Sequence, residues 1–178
     1  MAWLTVAPAL LAGTALAYEI RSIETHRDEQ RFRITMTVKL ELPAAAVRER
    51  LTDYENLDKL SPAIEDSRRL RPDEAGDIIV YRRMRPCVMF VCKTLRIFET
   101  VAYPGEWEIV TTVIAARSDL AYGLTRWTLT PEGTGTLLEY ESEVEPGFDL
   151  FPVVGQAAMS YSLRKQARQF AEGLERRR

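Results

Sequence analysis

Histidine is almost missing from this chain, and cysteine nearly so. There is one histidine, His26, and there are two cysteines, Cys87 and Cys92. A zinc site built from histidine and cysteine cannot be assembled from that set. His26 lies in a polar stretch without periodicity, where a catalytic histidine would lack the rigid support and partner it needs. Glycine is sparse and scattered: nine residues, none of them grouped into a phosphate-cradling fingerprint. No Gly-x-Ser-x-Gly elbow occurs. Charge of one sign is also lacking. The formal net charge is -2, so no electrostatic footprint for nucleic acid exists. No catalytic residue, metal ligand or cofactor is expected, and no nucleic-acid partner.

What is present is the composition of an ordinary globular protein. Of 178 residues, 46% are hydrophobic and 28% charged, which suits one domain and argues against disorder. Residues 1–17, MAWLTVAPALLAGTALA, contain no charged side chain and end in Ala15-Leu16-Ala17. The apolar part is too short to span a bilayer, so a cleaved secretory signal is the expectation, although no Lys or Arg precedes it. Export follows from that reading, to the periplasm if the source is bacterial. Residues 18–30 are polar and irregular and read as a linker or lead-in, with the folded domain spanning 31–178.

The periodicity then sharpens. Phe32, Ile34, Met36, Val38 and Leu40 alternate with polar residues, the signature of a strand with one wet face. Pro43 opens a short helix carrying Val47, Leu51 and Tyr54 on one side. A second short helix, 55–60, is stopped by Ser61-Pro62. From 63 to about 145, runs rich in Val, Ile, Thr, Tyr and Trp alternate with turn signals at 73–76, 103–105 and 131–135. Leu138, Tyr140, Ser142 and Val144 alternate with Glu139, Glu141, Glu143 and Glu145. Four carboxylates on one face cannot be buried unpaired, so the tyrosine face looks inward. The same logic puts Trp107, Ile109 and Thr111 on one face, with Thr125 and Trp127 on the inward face of the next strand. The closing segment repeats Ala157, Ser160, Leu163, Ala167, Phe170 and Leu174 at three and four, one stripe of a long amphipathic helix.

The expected fold is therefore α+β. A curved antiparallel sheet of about six or seven strands would wrap the long C-terminal helix, with two short helices after the first strand. Small residues on the helix would leave a cavity beneath it. Its walls would be Trp107, Ile109, Thr111, Thr125, Trp127, Tyr140 and Ser142 from the sheet, and Ser160, Leu163 and Ala167 from the helix.

Three local features stay open at this level. Asp53 and Glu55 would act as acid and base only from a cavity position; the other reading for Asp53 is helix capping. Tyr81, Arg83 and Arg85 share one strand parity, Arg82 and Met84 the other, and whichever parity faces inward would present an arginine suited to a carboxylate or phosphate, or none if the run is solvated. The stretch CVMFVC, 87–92, has three readings: a hairpin closed by a Cys87–Cys92 disulfide, an apolar tip of Val88, Met89, Phe90 and Val91 meeting a membrane surface, or a buried strand with two inert thiols.

The order of these segments resembles the START-like, polyketide-cyclase and lipid-transport superfamily, and is similar to its coenzyme Q-binding branch. Carrying the resemblance are VKLELPAAAVRERLTDYENLDKLSPAIEDSRRL (38–70), TRWTLTPEGTGTLLEYESEVEP (125–146) and FPVVGQAAMSYSLRKQARQFAEGLE (151–175), which together look like that family's opening, late hairpin and closing helix. The resemblance implies a helix-grip fold with a cavity between sheet and helix, and carries over no catalytic residue. It implies a binder or carrier of a hydrophobic small molecule or lipid, isoprenoid quinone among them. The rival readings are a cyclase/aromatase acting on a polyketide-like substrate, and an interaction domain whose cavity is filled by its own side chains.

Overall fold

The structure, a computed structural model, describes residues 18–88, 91–148 and 156–176. The segment read as a signal, 1–17, and the tip residues Met89 and Phe90 lie outside the described residues.

The alternation in 31–40 becomes strand β2, Arg31–Leu40, whose even-numbered residues are buried from end to end. Ahead of it, β1, Tyr18–Asp28, pairs antiparallel with β2 along its whole length. This corrects the reading of 18–30 as a linker. A register shift between Ile20 and Ser22 moves Ile23 onto the face of Ile20, and both pack on the core. One irregularity thus erases the period-two signal in a strand that lies at a sheet edge.

Helix α1, Ala44–Thr52, begins after Pro43, whose carbonyl accepts from the amides of Ala46 and Val47. The expected second helix shrinks to one tight turn at Leu57–Lys59. There follow β3 (Ile64–Arg69), β4 (Ile78–Met84), a small hairpin of β5 (Cys87–Val88) and β6 (Val91–Cys92), then β7 (Leu95–Gly105), β8 (Glu108–Val113), β9 (Leu120–Glu132) and β10 (Gly135–Pro146). The chain closes with α2, Gln156–Glu175.

One eight-stranded antiparallel sheet runs in the order β1-β2-β10-β9-β8-β7-β4-β3, and β5-β6 stands apart as a two-stranded sheet. The strand number exceeds the six or seven expected because β1 had been read as lead-in. The turn expected at 103–105 belongs to β7 instead, and the chain reverses at 106–107. From β3 onward each strand but the peripheral hairpin extends a meander, and β10 closes against β2. This is the helix-grip arrangement. Its core joins Met36, Val38, Leu40, Ile109, Leu129 and Leu138 of the sheet to Val47 and Leu51 of α1 and to Ala167, Ala171 and Leu174 of α2.

The outer face explains the four glutamates. Across the β2–β10 pair, Arg31 bonds Glu143 and Glu145, and Arg33 bonds Glu143 at 2.6 Å. These exposed pairs hold Glu143 below its usual carboxylate range, chiefly through Arg33, and they fix which face of β10 is wet.

Candidate functional site: a lined cavity between sheet and helix

Alternate residues in parts of several strands point at a cavity of about 280 Å³. From β10 come Tyr140, Ser142 and Val144, the inward partners of the outward glutamates. From β9 come Leu120, Gly123, Thr125 and Trp127, and from β7 Leu95, Ile97 and Glu99. Phe32 and Ile34 of β2 complete that wall, and Met159, Leu163 and Gln166 of α2 form the roof. A space of about 130 Å³ lies beside it toward Ala167 and Phe170, and one of about 40 Å³ lies toward Ile109 and Thr111. Arg82 and Trp127 border all three.

The parity left open in β4 is now decided: Arg82 and Met84 face the cavity, while Arg83 faces out and pairs with Glu65. Arg82 meets Glu99 at 2.5 Å, with side chains 17% and 4% exposed. The two stand diagonally across the β4–β7 ladder, where Arg82 is opposite Ile97 and Glu99 opposite Val80. The other carboxylate oxygen of Glu99 accepts from the Thr111 hydroxyl at 3.2 Å. A charge this deep needs a partner, because an uncompensated buried ion costs several kcal/mol. Next to the pair, the hydroxyls of Thr125 and Ser142 lie 2.8 Å apart. Burial pushes the Tyr140 phenol up, against the opposing pull of its bond with Ser142. The Tyr140 ring sits 5.8 Å from that of Trp127 and 6.2 Å from Phe170, so aromatic contacts hold these side chains in place.

The remaining sequence candidates fall in different places. Thr125, Trp127, Tyr140, Ser142 and Leu163 line the main cavity, Ala167 the 130 Å³ space, and Ile109 and Thr111 the 40 Å³ space. Trp107 does not: it occupies the β7–β8 turn and packs against the core from there. Ser160 is also displaced, because the helix presents Met159, Leu163 and Gln166 inward, one residue away from the predicted stripe at that end. Ser162, buried, bonds the carbonyl of Cys87 and ties the helix to the small hairpin. Asp53 caps the end of α1 and accepts from the Asn56 side chain, and Glu55 accepts from the backbone of Arg69. Neither lines the cavity. His26 is exposed on β1.

Cys87 and Cys92 stand opposite each other in the hairpin, with an S–S bond of 1.98 Å. Val88 and Val91 border the main cavity together with Pro86 and Lys93. Lys93 places its ammonium 3.2 Å above the Phe148 ring, another lining residue. Among the described residues no cluster of His, Cys, Asp and Glu is suited to a metal, and no helix is long and apolar enough to cross a membrane.

Glu99 escaped the sequence reading, yet a signal existed. Leu95, Ile97 and Val101 share its parity, so a lone carboxylate falls on an otherwise apolar strand face.

Residues 31–177 match the profile of the family described as polyketide cyclase/dehydrase and lipid transport. The chain belongs to that family. Among solved structures, this member is similar to a START superfamily protein from Mycobacterium smegmatis, with 20% identity, 80% of this chain and 94% of that one covered, and a TM-score of 0.64. It is also similar to the Zhui aromatase/cyclase from Streptomyces sp. R1128, at 15% identity, 81% and 92% coverage and a TM-score of 0.61. A STAR-related lipid transfer protein from Xanthomonas axonopodis aligns at 13% identity, 86% and 99% coverage and a TM-score of 0.56. At these identities the likeness is one of fold. No curated protein matches the sequence.

Proposed function

We propose that this family member binds and carries an apolar small molecule or lipid in the cavity beneath α2. The observation that carries the reading is the 280 Å³ space itself, walled mainly by Phe, Ile, Leu, Val, Met and Trp side chains with a few convergent polar groups. Affinity would come from buried apolar area, on the scale of ~25 cal/mol per Å². Isoprenoid quinones belong to this ligand class, with an apolar tail and a small polar head. The bonded cysteines support an exported, oxidising location, periplasmic in a bacterium. Val88 and Val91, flanked by exposed Arg85 and Lys93, support a transient contact of the hairpin with an anionic membrane surface during loading.

Native mass spectrometry of the protein purified from the exported fraction, followed by extraction and identification of what it holds, tests this. A near-stoichiometric apolar molecule supports it. A clean apo mass, with no uptake from a panel of lipids and quinones, overturns it in favour of a filled-core interaction domain.

The second reading, a cyclase/aromatase, draws on the inward Arg82–Glu99 pair, since such chemistry needs an acid or an arginine at the substrate. Both oxygens of Glu99 are already engaged, which favours the carrier. A carrier returns its ligand unchanged in mass; a dehydrating cyclase returns one lighter by water.

A further inference from the structure

The connection between β4 and β7 carries a covalent bond that the main sheet does not need. The β4–β7 ladder already closes at the Met84–Leu95 pair, and the amide of Arg85 bonds the carbonyl of Ala63 at 2.7 Å. Beyond that point the chain leaves the sheet and forms β5 and β6, two residues each, with Cys87 opposite Cys92. Strands this short hold poorly on their own in water. The partners of the Cys87–Cys92 bond are five positions apart, so it constrains this segment and little else.

That segment is a part of the cavity wall which solvent also reaches. Val91 lines the main cavity and is 37% exposed, and Lys93 lines it and is exposed, whereas Ile97, farther along β7, is 4% exposed. Two contacts seat the hairpin on this rim. The Ser162 hydroxyl of α2 donates to the Cys87 carbonyl and itself accepts from the Gln166 amide at 3.2 Å. The Lys93 ammonium lies above the Phe148 ring. Both cysteines are exposed, so an incoming thiolate can reach them. Arg85 and Lys93, exposed on either side, favour the thiolate form of an attacking or departing sulfur. Exposed disulfides are the class that yields to reduction and serves regulation.

We propose that Cys87–Cys92 is a thiol–disulfide exchange site for a protein dithiol, and that its state sets how fast the cavity exchanges its contents. A thiolate of the dithiol attacks one cysteine sulfur, forms a mixed disulfide and expels the other cysteine as a thiolate. The second thiolate of the dithiol then displaces the first cysteine. Two electrons pass to the hairpin, the protons of the dithiol end on Cys87 and Cys92, and the partner leaves as a disulfide. With the bond open, β5 and β6 lose their covalent closure and Val88 and Val91 are free to leave the rim. The oxidised hairpin retains the contents; the reduced one releases them. The proposal rests on the carrier reading and adds control of release to it.

The test uses the folded protein loaded with the neutral apolar dye N-phenylnaphthylamine, with release followed by stopped-flow fluorescence after rapid dilution. Dithiothreitol stands in for the protein dithiol, and intact mass reports the gain of two hydrogens. The reduced protein is expected to release the dye about tenfold faster than the oxidised one, the scale of freeing one short covalently closed loop. Circular dichroism stays unchanged, and reoxidation restores the slow rate. Cys87→Ser with Cys92→Ser releases at the fast rate with or without dithiothreitol. Equal rates before and after complete reduction overturn the inference and leave the carrier reading standing. So does a double-serine variant that stays slow, or a disulfide that resists dithiothreitol while the protein is folded. Reduction that unfolds the main sheet also overturns it, since the bond is then structural. Failure of either form to take up the dye removes the carrier reading, and this inference with it.

Discussion

Gly173 sits where α2 crosses the turn after α1, and a β-carbon there would fall 2.1 Å from the carbonyl oxygen of Leu60. That contact is with backbone, which cannot swing aside. Gly173→Ala is therefore expected to lower stability by about 1–3 kcal/mol, despite alanine's better helix propensity. A urea titration reads this directly, and an unchanged midpoint would contradict the close packing. Two residues on, Glu175 is buried at the helix end and accepts from the backbone amide of Glu41 at 2.7 Å. Burial pushes its carboxyl above the usual range, and the backbone bonds from Glu41 and Leu42 offset this only in part. A carboxyl whose folded value is raised favours folding while protonated. That advantage is complete below the unfolded value, and it is lost as pH rises through the raised one. Wild-type stability should thus fall relative to Glu175→Gln as pH rises above the unfolded value of about 4 and through the raised one. Parallel urea midpoints across that range check it; a gap that narrows with pH would reverse the sign.

The small hairpin is the element with most to tell. Its two short strands are held by the Cys87–Cys92 bond, and the Ser162 hydroxyl anchors the Cys87 carbonyl to the helix. The bond closes only a short loop, so chain entropy gives it roughly 2 kcal/mol at most, and the hairpin stands outside the main sheet. Replacing both cysteines by serine should leave the main sheet folded while amide exchange quickens in 86–93. Exchange that quickens throughout β4 and β7 would show the hairpin to be part of the cooperative core instead. The same element tests the membrane contact. Lys93→Glu puts a negative charge beside Val91, and should reduce co-sedimentation with anionic vesicles severalfold at low salt while leaving neutral vesicles unaffected. Equal loss on both vesicle types would point to damage of the hairpin.

At the scale of the whole molecule, cavity and stability pull against each other. A space of about 280 Å³ left in a core forgoes the contacts that would otherwise fill it. Leu163 lies on the helix face that roofs it. Leu163→Trp should fill part of the space, hold or raise the melting temperature, and abolish uptake of an apolar dye. If dye binding survives at full affinity, the ligand site lies elsewhere. If the protein unfolds, the space is tighter than its volume indicates.

The sequence alone determined much of this. Period-two alternation in 31–40 and 138–145 placed both strands and chose their wet faces, because four clustered carboxylates admit only one orientation. The stripe of α2 was legible through Leu163, Ala167, Phe170 and Leu174, and the sheet wall through Thr125, Trp127, Tyr140 and Ser142. Strand β1 was hidden, since a bulge cancels the alternation on which the reading depends. Arg82 and Glu99 needed the third dimension for a different reason. In β4, arginine stands on both parities, so pattern cannot choose between them; only the β4–β7 register brings Arg82 diagonal to a buried carboxylate, while Arg83 is left to Glu65. Arg82 and Trp127, 45 residues apart in the chain, come to border the same spaces only through the folding of β4 and β9 into one sheet, and nothing local in the sequence encodes that.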